Sequence, residues 1–409
     1  GRLKDAAGSV GLLFFAQSSH RCRSQVARFL TLTSKMNELN YFCDRAGQKR
    51  RQNPDMERRM AQKVTLPLTA LALLSVASPS FAQELNALVW CDHTDPALIE
   101  PFEEKFGVTV NLKEYEGTAA GLAILDQSQP GDWDVLVIDA VDVGRAVEAG
   151  YLAELPAAEL PTQNFFPELV MAENNTVDGK TYAVTEKFGY NTISFDKTKV
   201  DPADMEDMAA LTSGKYDGRI AIYDYYLPVL GLVALGQGIN TADITAENLP
   251  SLKDPLMKLR AASKQVSDVV SAQTALATGE VDIVVGGGEW LTAVLAADNP
   301  NLDWTIPKQG GLRWAQSIGV VAGSTQPDLA LEFVKYIVSP EGQAKLATSS
   351  CYWGMPANAK TGDALSMEQR DVLRWKEQPD FLKRAQLYPI PDAALDTAMQ
   401  DMWTEMLNQ

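Results

Sequence analysis

From residue 85 onward the apolar positions follow two rhythms in alternation. Residues 85–90 are a short apolar run that predicts a strand. Over 97–106, Leu98, Ile99, Phe102 and Phe106 recur at helical spacing, and Gly107 stands where a helix end takes a left-handed residue. Residues 108–115 alternate in the strand manner and 117–126 are helical again. Residues 134–139 carry the continuous apolar run of a strand buried on both faces. A helix over 143–149 follows, stopped by Gly150. Such alternation of strand and helix implies a mostly parallel sheet with helices on both faces.

The pattern then restarts. Strands are predicted over 219–223, 279–285, 302–306 and 317–322, and helices up to Gly236 and over 272–278 and 289–297. Residues 329–347 read as one long helix kinked at Pro340. The fold class is α/β, in two lobes, each a mostly parallel sheet flanked by helices. Extended crossovers at 186–191 and 308–314 would join them. Lobe 1 takes residues 83–188 plus 315–358, and lobe 2 takes 189–314 plus 359–409.

The 409 residues are 46% hydrophobic and 22% charged, the balance of a chain able to bury large cores. Net charge is −17, yet residues 1–82 are basic, so the remainder is strongly acidic. That field repels phosphate backbones and attracts cations, so no nucleic acid partner is expected. Residues 56–82 read as a secretory signal peptide. Arg58, Arg59 and Lys63 precede an apolar stretch from Leu66 to Val76, and Ser80-Phe81-Ala82 supplies small residues for cleavage. Residues 1–55 read as an upstream extension without packed structure. No later segment is long and apolar enough to cross a membrane. Beyond Ala82 only Cys91 and Cys351 remain. In an exported protein they predict one disulfide, two free buried thiols being the alternative. With His93 the only histidine of this region, no zinc-type ligand spacing exists, and neither metal nor cofactor is expected.

Several local sequences resemble the spermidine/putrescine-binding branch of periplasmic solute receptors. They are the strand–Trp–helix stretch from Leu88 to Gly107, the strand over 132–138, and the Gly279-Glu280-Val281-Asp282 junction. The segment from Trp304 to Ser317, with its Pro307-Lys308-Gln309-Gly310-Gly311 core and Trp314, is the most specific; the helix pair over 330–346 follows it. The resemblance spans residues 85–409. It implies a monomeric, non-catalytic receptor of an ABC importer in the periplasm, closing two lobes over a small amine and passing it to a membrane permease. It also implies a cleft with aromatic walls and carboxylates, which suits alkyl ammonium groups.

Carried over by position, the resemblance places Trp90, His93, Trp314 and either Tyr352 or Trp353 in the cleft, with Asp224 near an acidic pair. Asp139, Tyr225, Glu289 and Gln316 join them at strand ends and neighbouring positions, where open α/β sheets bind ligands. Gln316 stands where the polyamine binders have an Asp. Val141 replaces an aromatic, and Gly286-Gly287 replaces a Trp, with Trp290 close by. The charge spacing therefore differs, leaving a shorter amine, an amino-acid-like amine or a quaternary ammonium open alongside the polyamines. A zwitterionic or anionic solute would need Arg313 or the Gly286–Gly288 amides in the cleft, but alternation with Trp314 turns Arg313 outward. The Gly triplet lacks the spacing of a phosphate loop and reads as a close backbone approach. Adjacent tyrosines also occur in ferric-ion receptors, but there they follow the Gly-Glu-Val-Asp junction, unlike Tyr225-Tyr226. Hydrolase motifs are absent, so a secreted enzyme on a similar fold is the weaker reading.

Overall fold

Three parallel strands begin the fold: β1 (Gln83–Val89), β2 (Val108–Glu114) and β3 (Val135–Asp139). The helix joining the first two, Pro96–Phe106, starts on Pro96 with the Asp95 carboxylate accepting from the Ala97 amide. It ends on Gly107 at φ 65°, the left-handed conformation that costs a glycine nothing. These elements come from a computed structural model that describes residues 83–296 and 298–409. The expected extension and signal peptide lie outside those residues.

The second group comprises β5 (Ile220–Tyr223), β6 (Ser263–Ser267) and β7 (Ile283–Gly287), again parallel. Between the groups run two long strands, β4 (Val184–Asp196) and β9 (Gly311–Val320), antiparallel to each other. The strand order is β2-β1-β3-β9-β4-β7-β5-β6. Three shorter strands attach to the central pair: β8 (Leu302–Thr305) and β10 (Met355–Pro356) to β4, and β11 (Ala385–Leu387) to β9.

All 13 residues of β4 are buried. Val184 to Asn191 pair with β9, whereas Thr192 to Phe195 pair with β7. Both ladders carry a register shift, at Gln316/Ser317 and at Thr192/Ile193. One strand thus runs from the first half of the sheet into the second, bent by irregularities along its length. The Gly triplet has its explanation here. A Cβ on Gly288 would lie 2.1 Å from the Tyr190 carbonyl oxygen, and one on Gly287 would lie 2.5 Å from Ser194 Oγ. The close approach of Gly287 and Gly288 is to β4, and that of Gly286 is to Tyr223 on β5.

Each half has its own core. Leu85, Phe102, Val135, Val137, Phe333 and Ile337 pack in the first; Phe195, Ile220, Leu230, Leu256 and Ile283 pack in the second. The stretch after residue 359 is shared. Leu365, Leu373, Phe381 and Leu382 join the first core, and Met399, Trp403 and Met406 of the final helix join the second.

Two local expectations need correction. Residues 329–347 are two helices, Pro327–Ile337 and Pro340–Ala347. Ser339 accepts from the Gly342 amide and Pro340 takes the first helical position, where its missing N–H is no loss. The proline therefore starts a helix instead of kinking one. The helix expected over 289–297 is regular only from Glu289 to Thr292. The chain then turns to enter β8 at Leu302.

Candidate functional site

A cavity of about 240 Å³ opens between the two halves. It is slightly smaller than the roughly 300–1,000 Å³ usual for drug-sized ligands, so it suits a small solute. Trp90 follows β1, Asp139 ends β3 and Tyr352 lies just before β10, all on the first half. Tyr223 ends β5, while Tyr225, Val269 and Trp290 lie at helix starts after β5, β6 and β7 on the second. Asn191 and Trp314 come from the crossing strands β4 and β9, and Tyr388 follows β11. Most walls thus stand at the carboxyl ends of parallel strands, where successive chain turns leave a crevice.

The walls hold one another. Trp314 and Tyr352 meet edge to face at 6.2 Å, as do Tyr225 and Tyr388 at 5.9 Å, and Tyr223 tilts against Trp290 at 5.4 Å. Asn191 donates to the Gly286 carbonyl at 2.7 Å and accepts from the Tyr388 hydroxyl. Asp139 is the sole charged residue of the lining, and its carboxylate accepts from Thr118 Oγ1 at 3.4 Å. Burial, and then the charge of Asp142, push its pKa up to about 7.

Behind Trp90 and Tyr352 lies a fully buried charge cluster. His93 donates from Nδ1 to Asp92 at 2.9 Å and from Nε2 to the Glu186 carboxylate at 3.1 Å. Lys187 Nζ donates to Asp92 Oδ2 at 2.8 Å and to the Tyr352 carbonyl at 3.1 Å, and lies 3.9 Å from the Tyr352 ring centre. Gln316 Nε2 donates to Asp92 Oδ2 at 3.2 Å and to the Tyr352 hydroxyl at 2.9 Å. Burial alone would depress His93, but Glu186 and Asp92 on its two nitrogens hold it at about 10, so it is an imidazolium at neutral pH. Burial works to raise Asp92, yet Lys187 and His93 outweigh it and keep the carboxyl well below the ordinary range. The cluster locks the back of the Tyr352 wall.

Cys91 and Cys351 form the expected disulfide, with Cα atoms 6.0 Å apart. Their chain neighbours Trp90 and Tyr352 are both cavity walls.

Of the residues singled out from sequence, Trp90, Asp139, Tyr225, Trp290, Trp314 and Tyr352 meet at this cavity. His93, Asp224, Glu289, Gln316 and Trp353 do not line it. His93 and Gln316 are 0% exposed because the buried cluster consumes their polar atoms. Glu289 is also 0% exposed: its carboxylate accepts from the Tyr190 amide at 3.1 Å, and burial pushes its pKa up to about 8. It stands behind Trp314, and the two fill the space that a side chain at Gly189 would need. Asp224 is exposed, its carboxylate turned to Trp403 Nε1 at 3.0 Å. Trp353 packs against the first core, and its neighbour Tyr352 faces the cavity instead. Arg313 is only 7% exposed, contrary to the outward orientation that alternation suggests, because both faces of β9 are covered. Asn191, Tyr223, Val269 and Tyr388 were not anticipated. Tyr223 was within reach of the strand-end rule, whereas Tyr388 arrives only through the pairing of β11 with β9.

Comparison with known proteins agrees with this architecture. The chain is 24% identical over 293 residues to the spermidine/putrescine-binding periplasmic protein of Escherichia coli (strain K12), covering 70% of this chain and 82% of that protein. It is 25% identical over 365 residues to a putrescine/cadaverine-binding protein of Pseudomonas aeruginosa, covering 85% of this chain and 99% of that one. Among solved structures, a spermidine/putrescine ABC transporter substrate-binding protein of Streptococcus pneumoniae superposes with a TM-score of 0.70 at 19% identity. That match covers 80% of this chain and 98% of the other, and establishes the two-lobe fold. The sequence profile of one family matches residues 97–371. This chain belongs to the bacterial extracellular solute-binding proteins.

Proposed function

We propose that this protein is the periplasmic receptor of an ABC importer and that its ligand is a small alkyl amine, the chemistry named for its polyamine-binding relatives. The protein binds and releases the amine unchanged and hands it to a membrane permease. The observation that carries this reading is the lining itself. Seven aromatic rings surround one carboxylate, and no lining residue is cationic. An ammonium group over an aromatic face gains about 0.5–2 kcal/mol, and the methylenes cover the remaining ring surface. Asp139 adds a charge-assisted hydrogen bond. One carboxylate serves one ammonium, so a long polyamine with several amines fits poorly.

Because the walls come from both halves, a ligand touching them together favours the closed arrangement. The boundaries proposed for the moving bodies are 83–188 with 315–358, and 189–314 with 359–409. The crossings at β4 and β9 would act as the hinge.

Asp139 also sets a pH dependence. An ammonium binds the carboxylate form, and in the free protein that form gains its proton near pH 7. Below pH 7 binding must expel the proton, so affinity falls by about tenfold per pH unit; above it affinity levels off. Isothermal titration with butylamine, putrescine, cadaverine and agmatine tests the reading. At least one binds the wild type, and Asp139→Asn weakens it by about 30-fold or more, as expected when one partner of a desolvated charge pair is lost. Absence of binding by every amine, or an unaltered affinity in Asp139→Asn, overturns it.

A further inference from the structure

A second charge lies beside the cavity, in a neighbouring recess, with no ion-pair partner among the described residues. Arg313 on β9 is buried, and its Nε has no hydrogen-bond partner. Among the described residues no carboxylate lies within 4.0 Å of its guanidinium. The carboxylates that bear on it, Glu168 and Glu173, act only at a distance. A guanidinium does not shed its proton, so it cannot escape the cost of burial by becoming neutral. Buried charges in folded proteins are paired, which leaves this one waiting for an anion from outside.

The place for that anion is a recess of about 10 Å³ lined by Arg313, Val141, Met171 and Leu387. It shares Asp139, Trp314 and Tyr388 with the aromatic cavity. Such a volume admits about one water-sized group, for instance the end of a carboxylate. Asp139 has no cationic partner among the described residues either; its side-chain partner is Thr118. Two opposite charges therefore border adjoining spaces that share wall residues, without pairing with each other. A diamine answers only one of them.

We propose that the ligand is a zwitterionic amino carboxylate, its ammonium in the aromatic cavity against Asp139 and its carboxylate on Arg313. This rests on the amine reading above and adds the group at the other end. Arg313 is then the residue that discriminates amino acids from polyamines. Its fork of donors matches a carboxylate, which lysine would meet only as a point charge.

The test is titration of the full mature chain with glycine, β-alanine, 4-aminobutanoate and 5-aminopentanoate against butylamine and putrescine. The best amino carboxylate is expected to bind at least tenfold more tightly than either amine of similar length, and the optimum chain length reports the separation of the two charges. Arg313→Met is expected to abolish that preference, so that in the variant the amino carboxylate binds no more tightly than butylamine. The ligand-free Arg313→Met protein should melt no lower than wild type, because an unpaired buried charge has gone; a merely structural arginine would give a marked fall. Amine binding with no preference for the carboxylate, or a preference that survives Arg313→Met, overturns this proposal and leaves the amine reading standing. If none of these compounds binds, both fall.

Discussion

Lys187→Met lowers the free energy of unfolding by about 3–5 kcal/mol, seen as a drop in the urea midpoint at unchanged slope. The reason is the company Lys187 keeps. Its ammonium is fully buried between Asp92, the Tyr352 carbonyl and the Tyr352 ring. Removing it strips Asp92 of one of two cations and leaves a buried carboxylate short of compensation. A surface ion pair would yield about 0–1 kcal/mol, so the size of the loss separates the two situations. The double variant Asp92→Asn/Lys187→Met should cost less than the sum of the single changes, because each single change orphans the other partner. A single-variant loss below about 1 kcal/mol would show that the cluster holds nothing.

The same cluster makes stability depend on alkaline pH. The native His93 pKa of about 10 lies above its unfolded value of 6.5. Its contribution is therefore fully present below pH 6.5 and is lost as pH rises toward 10. Melting temperatures of wild type and His93→Gln should converge across that window.

Replacing both Cys91 and Cys351 by serine is the second large change. The bridge spans 260 residues, and a loop of that length constrains the unfolded chain strongly, so the loss should lie at about 2–5 kcal/mol by thermal or urea melting. A stability change under about 1 kcal/mol would refute the role. The bridge also fixes the site. It joins the segment ending in Trp90 to the segment beginning with Tyr352, so two facing walls hang on one covalent link. Under conditions where the double variant is fully folded, amine affinity should still be weaker than in the oxidised wild type, because the walls are less preorganised.

Much of the architecture can be read locally. Asp95, Pro96 and Gly107 mark both ends of a helix by their own chemistry, and the apolar run up to Asp139 announces a buried strand. Trp90 and Asp139 are legible as cavity-lining residues because strand ends can be located without knowing what packs on them, and Trp314, within β9, through the resemblance. His93 and Gln316 stand apart from the cavity lining for the converse reason. An isolated polar residue beside a strand end looks available, and only the fold reveals that Asp92, Glu186 and Tyr352 have already claimed it. Arg313 shows the same limit. Alternation predicts which face a side chain takes, not whether that face is covered. Pro340 reads as a kink from sequence, whereas Ser339 makes it a helix start through a bond from the Gly342 amide that composition alone does not rank. Tyr388 and Asn191 share a hydrogen bond across 197 positions of chain, a distance over which no local pattern carries.

The uninterrupted course of β4 through both halves has a mechanical consequence. If the proposed closure occurs, widening the mouth around the ligand would flex a rod of backbone that is hydrogen-bonded on either side. Resistance to gaping then resides in the curvature of one polypeptide segment. Gly189 on that segment and Gly288 against it let their neighbours pack with no gap, since a side chain at either would collide with Trp314 and Glu289 or with the Tyr190 carbonyl.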